Sequence, residues 1–433
     1  MFEKLIHIYR NLNEPLYKNS LYLMLTMLSG TGSGFIFWLI AAKYYSPEDV
    51  GFAAATLSAV GLLSMFTRFG FEISIIKYLP LEENKNSMIN SCLNLIVLSS
   101  VLIGLIFIYG LDIFSPNLLF LRDKKYLVLS FITFIAASSL FSFQNNIYVA
   151  LRDPKYSFYQ SLICTSRILA LPILIFIGFL GIYLAYGIGL LIAVIFGNLY
   201  VRKLYSSYRL LPYVQSSVLS KMIHFSLGNY IATLFEVLPS FLLPILVINI
   251  LGAELNAYYY IAWSFSTILL MVPKASAMSL FAEGLYFNDD IHANFFKTLK
   301  FVFILTIPLI LGVFLFGNYM LSTFGRGYSE NALGMLEIFA VATIPSSLNI
   351  VYLSIKRINK KMNSVILINF VLALITIVGS YLLMQKIGLF GIGTAWLLAN
   401  VVVNLLIGIE IFKLKWENNR NQLNLQDSLK LEF

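Results

Sequence analysis

Charge is what this 433-residue sequence has least of: Asp, Glu, Lys and Arg make up 12% of it, while 59% of its residues are apolar. A soluble domain carries about a quarter of its residues as charges, so a water-exposed surface cannot be built over most of this chain. Cysteine is scarce as well. Cys92 and Cys164 fall within or at the edge of apolar stretches and show no paired spacing, so they give no sign of a disulfide framework or of redox compartment. The histidines His7, His224 and His292 are scattered and form no metal or catalytic cluster. There is no Walker phosphate loop, so this chain does not hydrolyse ATP, and no resident cofactor is implied.

What is present is apolar length, with a mean hydropathy of +0.82. A bilayer core about 30 Å thick needs roughly 20 apolar residues per helix, and only helices or closed barrels satisfy every backbone polar group there. Runs such as Leu162 to Gly181 and Phe301 to Phe316 lack the alternation of barrel strands. The expected fold is therefore an all-α integral membrane protein, with spans near residues 20-42, 50-78, 88-110, 126-150, 158-179, 182-201, 223-250, 256-282, 299-320, 330-354, 364-384 and 389-412. Residues 1-19 read as an interfacial amphipathic helix, with Leu5, Ile8, Leu12 and Leu16 on one face. The first span then serves as its own targeting signal, without a cleaved peptide.

With the N-terminus inside, 21 of the 30 basic residues fall in cytoplasmic segments, Lys77, Arg152, Arg202, Lys203, Arg209 and Lys356 among them. External segments hold few, such as Lys43, Arg122 and Lys386. The positive-inside rule then puts both termini in the cytoplasm of a multi-pass cell-membrane protein. Basic loops beside anionic headgroups account for the net charge of +9 without a nucleic-acid partner. The loops are short and the tail 413-433 is small and polar, which leaves no room for a soluble catalytic domain and points away from an enzyme.

The sequence also carries an internal echo. Laying span two on span eight brings Ser58 onto Ser264, Met65 onto Met271 and Arg68 onto Lys274, and laying span four on span ten brings Asn145, Tyr148 and Arg152 onto Asn349, Tyr352 and Lys356. An even number of spans returns each half to the same orientation. The expected plan is two six-helix lobes, 20-210 and 211-412, around a central cavity.

Ionisable residues in mid-span cost at least about 2.5 to 3.5 kcal/mol on insertion scales, so they face water or a partner. Arg68, Arg167 and Lys274 are the cationic candidates. Converging on one cleft they would bind an anion, and arginine forks match phosphate oxygens. Each has a plainer reading: an ion pair of Arg68 with Glu72 one turn on, an inter-helix salt bridge for Arg167, and snorkelling for Lys274. Span seven aligns Ser226, Asn229, Thr233, Glu236 and Ser240 on one face. The small residues there could glue helices together. Glu236, followed by Pro239 and Pro244 where a bend is expected, either holds H⁺ or Na⁺ or pairs with one of the bases. Glu337 is a second coupling candidate, and Asn145 a further polar residue for the cavity.

The stretch Asn19 to Pro80 resembles the polysaccharide or O-antigen flippases (Wzx-like) of the MOP exporter superfamily. The similarity is carried by Phe35-Ile36-Phe37-Trp38-Leu39-Ile40-Ala41-Ala42-Lys43-Tyr44-Tyr45-Ser46-Pro47-Glu48-Asp49-Val50-Gly51 and by Thr67-Arg68-Phe69-Gly70-Phe71-Glu72. The resemblance implies a MATE-like bundle with a cationic cavity, alternating access, and export of a polyprenyl-diphosphate-linked oligosaccharide for surface polysaccharide or lipopolysaccharide biosynthesis. Basic residues on spans two and eight of that family map onto Arg68 and Lys274. Membrane lipids and other polysaccharide assembly proteins are the implied partners. Span one has no basic residue here, which speaks against lipid II as cargo. An ion-coupled drug or metabolite antiporter, and a membrane-embedded polysaccharide polymerase, are the alternatives.

The orientation is open to a direct check. With Cys92 and Cys164 replaced by serine, a cysteine placed at Asp123 should react with an impermeant maleimide in intact cells. One placed at Glu83 should react only after permeabilisation, and the reverse pattern inverts the topology.

Overall fold

The computed structural model describes residues 15–286 and 291–430. Among them there are helices and connecting turns and no strand. Among the described residues eleven helical stretches, span eight taken across its turn at Leu270, are long and apolar enough to cross a bilayer. The remaining expected span, span five, is broken: Lys155–Cys164 and Arg167–Ile173 are separate helices, neither long enough to cross alone. The chain is thus an all-α membrane protein of about twelve helices.

Span one is Pro15–Tyr44, and it starts earlier than expected, absorbing residues 15–19. The rest of the interfacial helix expected over 1-19 lies outside the described residues. Span two is also in two pieces, Pro47–Phe66 and Phe71–Tyr78. Spans three, four and six are Lys85–Tyr109, Lys125–Ala150 and Phe179–Leu204. Span seven, Ser216–Leu251, continues through both Pro239 and Pro244 without a break. Span eight is interrupted at Leu270, between Ala253–Leu269 and Met271–Tyr286. Spans nine to eleven are Ile291–Ser322, Arg326–Ile358 and Met362–Ile387. The last helix, Phe390–Lys430, carries on through most of the tail.

The chain forms two compact units. The first comprises the described parts of Met1–Phe265 with Phe316–Leu333, and the second Ser266–Leu315 with Gly334–Phe433. In the first, Phe71, Ile75, Met88, Phe143, Tyr148 and Met222 belong to one buried cluster that ties spans two, three, four and seven. Close approach depends on glycine at two helix crossings. A Cβ on Gly61 would sit 2.4 Å from the Phe241 ring of span seven, and one on Gly51 would sit 1.7 Å from the Ala253 carbonyl oxygen. Asn256 seals the second crossing by donating from Nδ2 to the Gly51 carbonyl at 2.8 Å.

The Ser46-Pro47-Glu48-Asp49 motif explains how span two begins. Ser46 Oγ accepts from the Asp49 amide at 3.1 Å, Pro47 occupies the first turn, and Glu48 and Asp49 complement the helix dipole. Asp49 Oδ1 then accepts from the Phe179 amide at 2.8 Å, so one carboxylate serves the starts of spans two and six. Gly178, at φ 58° and ψ −138°, makes that contact feasible.

Local geometry repeats along the chain. Gly388, before span twelve, has φ 62° and ψ −141°, close to Gly178 before span six. Spans four and ten end alike, with Arg152 at φ 60° and Lys360 at φ 55°, each followed by an amide bonded back to Tyr148 and Lys356 respectively. The equivalence is one helical turn away from the alignment expected from sequence: Arg152 matches Lys360, not Lys356. Side-chain identity misleads here because the matched feature is a backbone turn, which arginine and lysine fill without a shared side-chain role.

Gly178→Ala should lower stability by about 1 to 3 kcal/mol, because the backbone angle disfavours a Cβ and Asp49 Oδ1 would lie 2.9 Å from it. Gly228→Ala, with nothing within 4 Å, should be neutral or stabilising by up to about 1 kcal/mol. Thermal unfolding midpoints of the purified protein in detergent distinguish the two.

Candidate functional site

Inside a bilayer a helix break frees backbone groups that lipid cannot satisfy, so a break persists only where protein meets them. At the break in span two, Thr67 Oγ1 donates to the Ser64 carbonyl at 2.8 Å and shares a 2.6 Å hydrogen bond with Ser139 Oγ of span four. Ser99 of span three donates to the Thr67 carbonyl at 3.2 Å, and Ser226 of span seven to the Phe69 carbonyl at 3.3 Å. The turn needs left-handed backbone at Phe69 and Gly70, φ 49° and 76°. A Cβ on Gly70 would meet Tyr230 Cβ at 2.8 Å and Ser226 Oγ at 2.9 Å. Ser226, expected in the polar stripe, is thus buried and joins helices.

Arg68 stands in this break. Its Nε lies 3.2 Å from Glu72 Oε1, with side-chain exposures of 16% and 25%. The N–H is not aimed at that oxygen and remains without a hydrogen-bond acceptor, so the contact is an ion pair and not an aligned hydrogen bond. Ser142 Oγ donates to the same Glu72 oxygen at 2.6 Å. The pair is electrically neutral as a unit, and an incoming anion would have to compete with Glu72 for Arg68.

Arg167 begins the second piece of span five, just after the turn at Thr165 and Ser166. Its guanidinium carbon is 5.3 Å from the centre of the Phe37 ring and 4.9 Å from that of Tyr186. Phe37 and Tyr186 are themselves edge to face at 6.1 Å, and Trp38 and Tyr260 extend the aromatic group at 4.5 Å from each other. Gly189 makes the space, since a Cβ there would lie 2.6 Å from Arg167 Cβ, and Gly34 borders the guanidinium at ordinary contact distance. Among the described residues no carboxylate pairs with Arg167. Its Nε is buried and unbonded. Ring faces therefore stabilise this cation without neutralising it, an interaction worth about 2 kcal/mol or more when desolvated. Nothing in the composition announced the aromatic group. Phe37 and Trp38 stood in the family-like stretch, but Tyr186 and Tyr260 come from spans six and eight and are brought in by folding.

The other candidates differ in exposure and partners. Glu236 and Thr233 are exposed on span seven and Asn229 is half-buried. Asn145 turns inward along its own helix, donating to the Phe141 carbonyl at 2.9 Å and leaving Oδ1 buried without a partner. In the second unit Lys274 is exposed one turn after the break at Leu270, and Glu337 is half-buried. A cation counted among the loops is in fact interior: Lys356 is 4% exposed and pairs with Glu410, whose other oxygen accepts from Tyr352 at 2.8 Å. The signal that could have found it is Glu410, a lone acid at the end of an apolar span.

Residues 16–282 match the family model described as polysaccharide biosynthesis protein, a far longer stretch than the first 80 residues. No curated protein matches the chain. Among solved structures, the lipid II flippase MurJ in an inward closed conformation is 13% identical, with a TM-score of 0.72 over 90% of this chain and 87% of its own. An inward-facing multidrug resistance MATE family transporter of the MOP superfamily is 12% identical, with a TM-score of 0.68 over 90% and 96%. A MOP superfamily transporter from Pyrococcus furiosus Vc1 is 12% identical, with a TM-score of 0.61 over 93% and 96%. At these identities the likeness is one of fold.

The Arg68–Glu72 pair makes a double-mutant test. Glu72→Gln should lower the thermal unfolding midpoint, because it leaves Arg68 uncompensated in a partly buried break. Adding Arg68→Gln should recover most of the loss. Additive losses would show that the two residues are not coupled.

Proposed function

The chain belongs to the polysaccharide biosynthesis protein family, and from that premise we propose that it is a flippase. Its cargo is a polyprenyl-diphosphate-linked oligosaccharide, moved from the cytoplasmic to the outer leaflet of the cell membrane by alternating access of lobes 20-210 and 211-412, with both termini cytoplasmic. The observation that carries this reading is Arg167, an arginine about midway along a broken span whose charge is met by ring faces. Phe37 and Tyr186 border the guanidinium without bringing a negative charge, and its N–H groups are the part that matches phosphate oxygens. A diphosphate is the group of such a cargo that carries two phosphorus centres and concentrated negative charge.

In this mechanism Arg167 is the first diphosphate ligand, and Arg68 becomes available as Glu72 is drawn off it. Lys274 supplies the third positive charge from the second half of the chain. Asn229, Thr233 and Asn145 offer hydrogen bonds to sugar hydroxyls. H⁺ or Na⁺ exchange at Glu236 or Glu337 resets the cycle, and other polysaccharide assembly proteins deliver and take up the glycan. The MATE-like fold supports a second reading, an ion-coupled antiporter of drugs or metabolites. A cation without a paired carboxylate disfavours cationic drugs there.

The test is export in a strain lacking its own flippase and supplied with this one, reading lipid-linked glycan in the outer leaflet and protein level in the membrane. Arg167→Ala, and Arg68→Ala combined with Lys274→Ala, should abolish export at unchanged protein level. Arg167→Lys should retain only part of it, because the ammonium lacks the planar fork. Full export in both alanine variants, or drug resistance without glycan export, sinks the proposal.

A further inference from the structure

The segment joining spans six and seven is held by an asparagine ladder. On span three, Asn86, Asn90 and Asn94 recur every four residues and share a face. Asn86 Oδ1 accepts from the Arg209 amide at 3.0 Å, and Asn90 Nδ2 donates to the Arg209 carbonyl at 2.8 Å. Asn90 Oδ1 accepts from the Leu211 amide at 3.1 Å, and Asn94 Nδ2 donates to the Leu211 and Tyr213 carbonyls at 2.7 and 3.1 Å. Ser91 Oγ then accepts from the Gln215 amide at 2.9 Å. Four helical residues rise about 6 Å and two extended residues advance about 6.6 Å. Side-chain amides at every fourth position therefore imitate the edge of a neighbouring strand.

Between this strap and the helices behind it lies a cavity of about 280 Å³, whose walls include Leu93, Val97, Leu140, Asn198, Leu211 and Pro212. It reaches the surface, since Leu210 and Leu211 remain 56% and 46% exposed. Arg209 directly precedes Leu210, and Arg202 stands one turn beyond Asn198 on span six; both are exposed. From Pro154 to Phe235 the sequence contains no acidic residue, and Lys203 and Lys85 add positive charge against Glu82 and Glu83 just before span three.

We propose that this cavity seats an acyl chain of an anionic phospholipid from the leaflet the basic loops face, with its phosphate against Arg202 and Arg209. The charge of the rim selects the occupant: leaflet anions are drawn to clustered arginines, and a zwitterionic lipid lacks that attraction. Because the ladder fixes the strap's backbone at alternate residues, the cavity stays open beneath it without a lipid to prop it. The site is separate from Arg68 and Arg167 and does not depend on the cargo proposed above.

The experiment reconstitutes the full chain in vesicles holding phosphatidylglycerol or phosphatidylcholine with a photoactivatable group in the acyl chain, and maps the labelled residues by mass spectrometry. Phosphatidylglycerol should label Val97, Leu140 and Leu211 roughly tenfold more than phosphatidylcholine does. In Arg202→Gln combined with Arg209→Gln it should fall to the phosphatidylcholine level, and Leu211→Trp, which fills the cavity, should remove labelling of Val97 and Leu140 by either lipid. Equal labelling by the two lipids in the unsubstituted protein, or labelling unaffected by the arginine changes, overturns the proposal. So does displacement of the label by equimolar polyprenyl diphosphate, which would make this a cargo site.

Discussion

A helix cannot stop inside a bilayer unless protein takes over its freed backbone groups, and the first unit is organised around meeting that demand. At the break in span two the acceptors are met by hydroxyls from three directions: Ser99 on span three, Thr67 itself with Ser139 of span four beside it, and Ser226 on span seven. These contacts oblige the four spans to pack at one depth, and Gly70 permits it because the crossing leaves no room for a Cβ. Serines that look like generic membrane-helix glue are specific here, each answering a particular carbonyl.

The same breaks are where the arginines stand, and the two are hosted by different physics. Arg68 has a carboxylate one turn away, so its charge is balanced within the break. Arg167 has aromatic faces, which lower the cost of the charge while leaving it positive. Of the two, only the second keeps a standing attraction for an anion. The distinction matters more for function than the mere count of intramembrane cations. Lys356, buried and already paired with Glu410, is an interior lysine whose charge is balanced by a carboxylate.

Legibility varied with the range of the interaction. The Arg68–Glu72 pair was readable because its partners stand only four residues apart in the chain, close enough to meet even across the break. The aromatic group around Arg167 was not, because Phe37, Tyr186 and Tyr260 sit on spans one, six and eight and share no local pattern. The asparagine ladder has a visible period, Asn86, Asn90 and Asn94, yet a helix period says nothing of an extended partner more than a hundred residues away. Prolines do not mark the breaks: span seven runs as one helix through Pro239 and Pro244, while spans two, five and eight break at turns without proline at the break itself.

The sequence by itself determined the solvent, the number of spans, the family and the local ion pair, since hydropathy and spacings of three or four residues act through near neighbours along the chain. Only the tertiary structure decided which cation is neutralised and which is cradled by rings, where helices break, and what the inter-span segment leans on. Those outcomes depend on side chains from spans far apart in the chain arriving within a few ångströms, and no one-dimensional pattern encodes that approach.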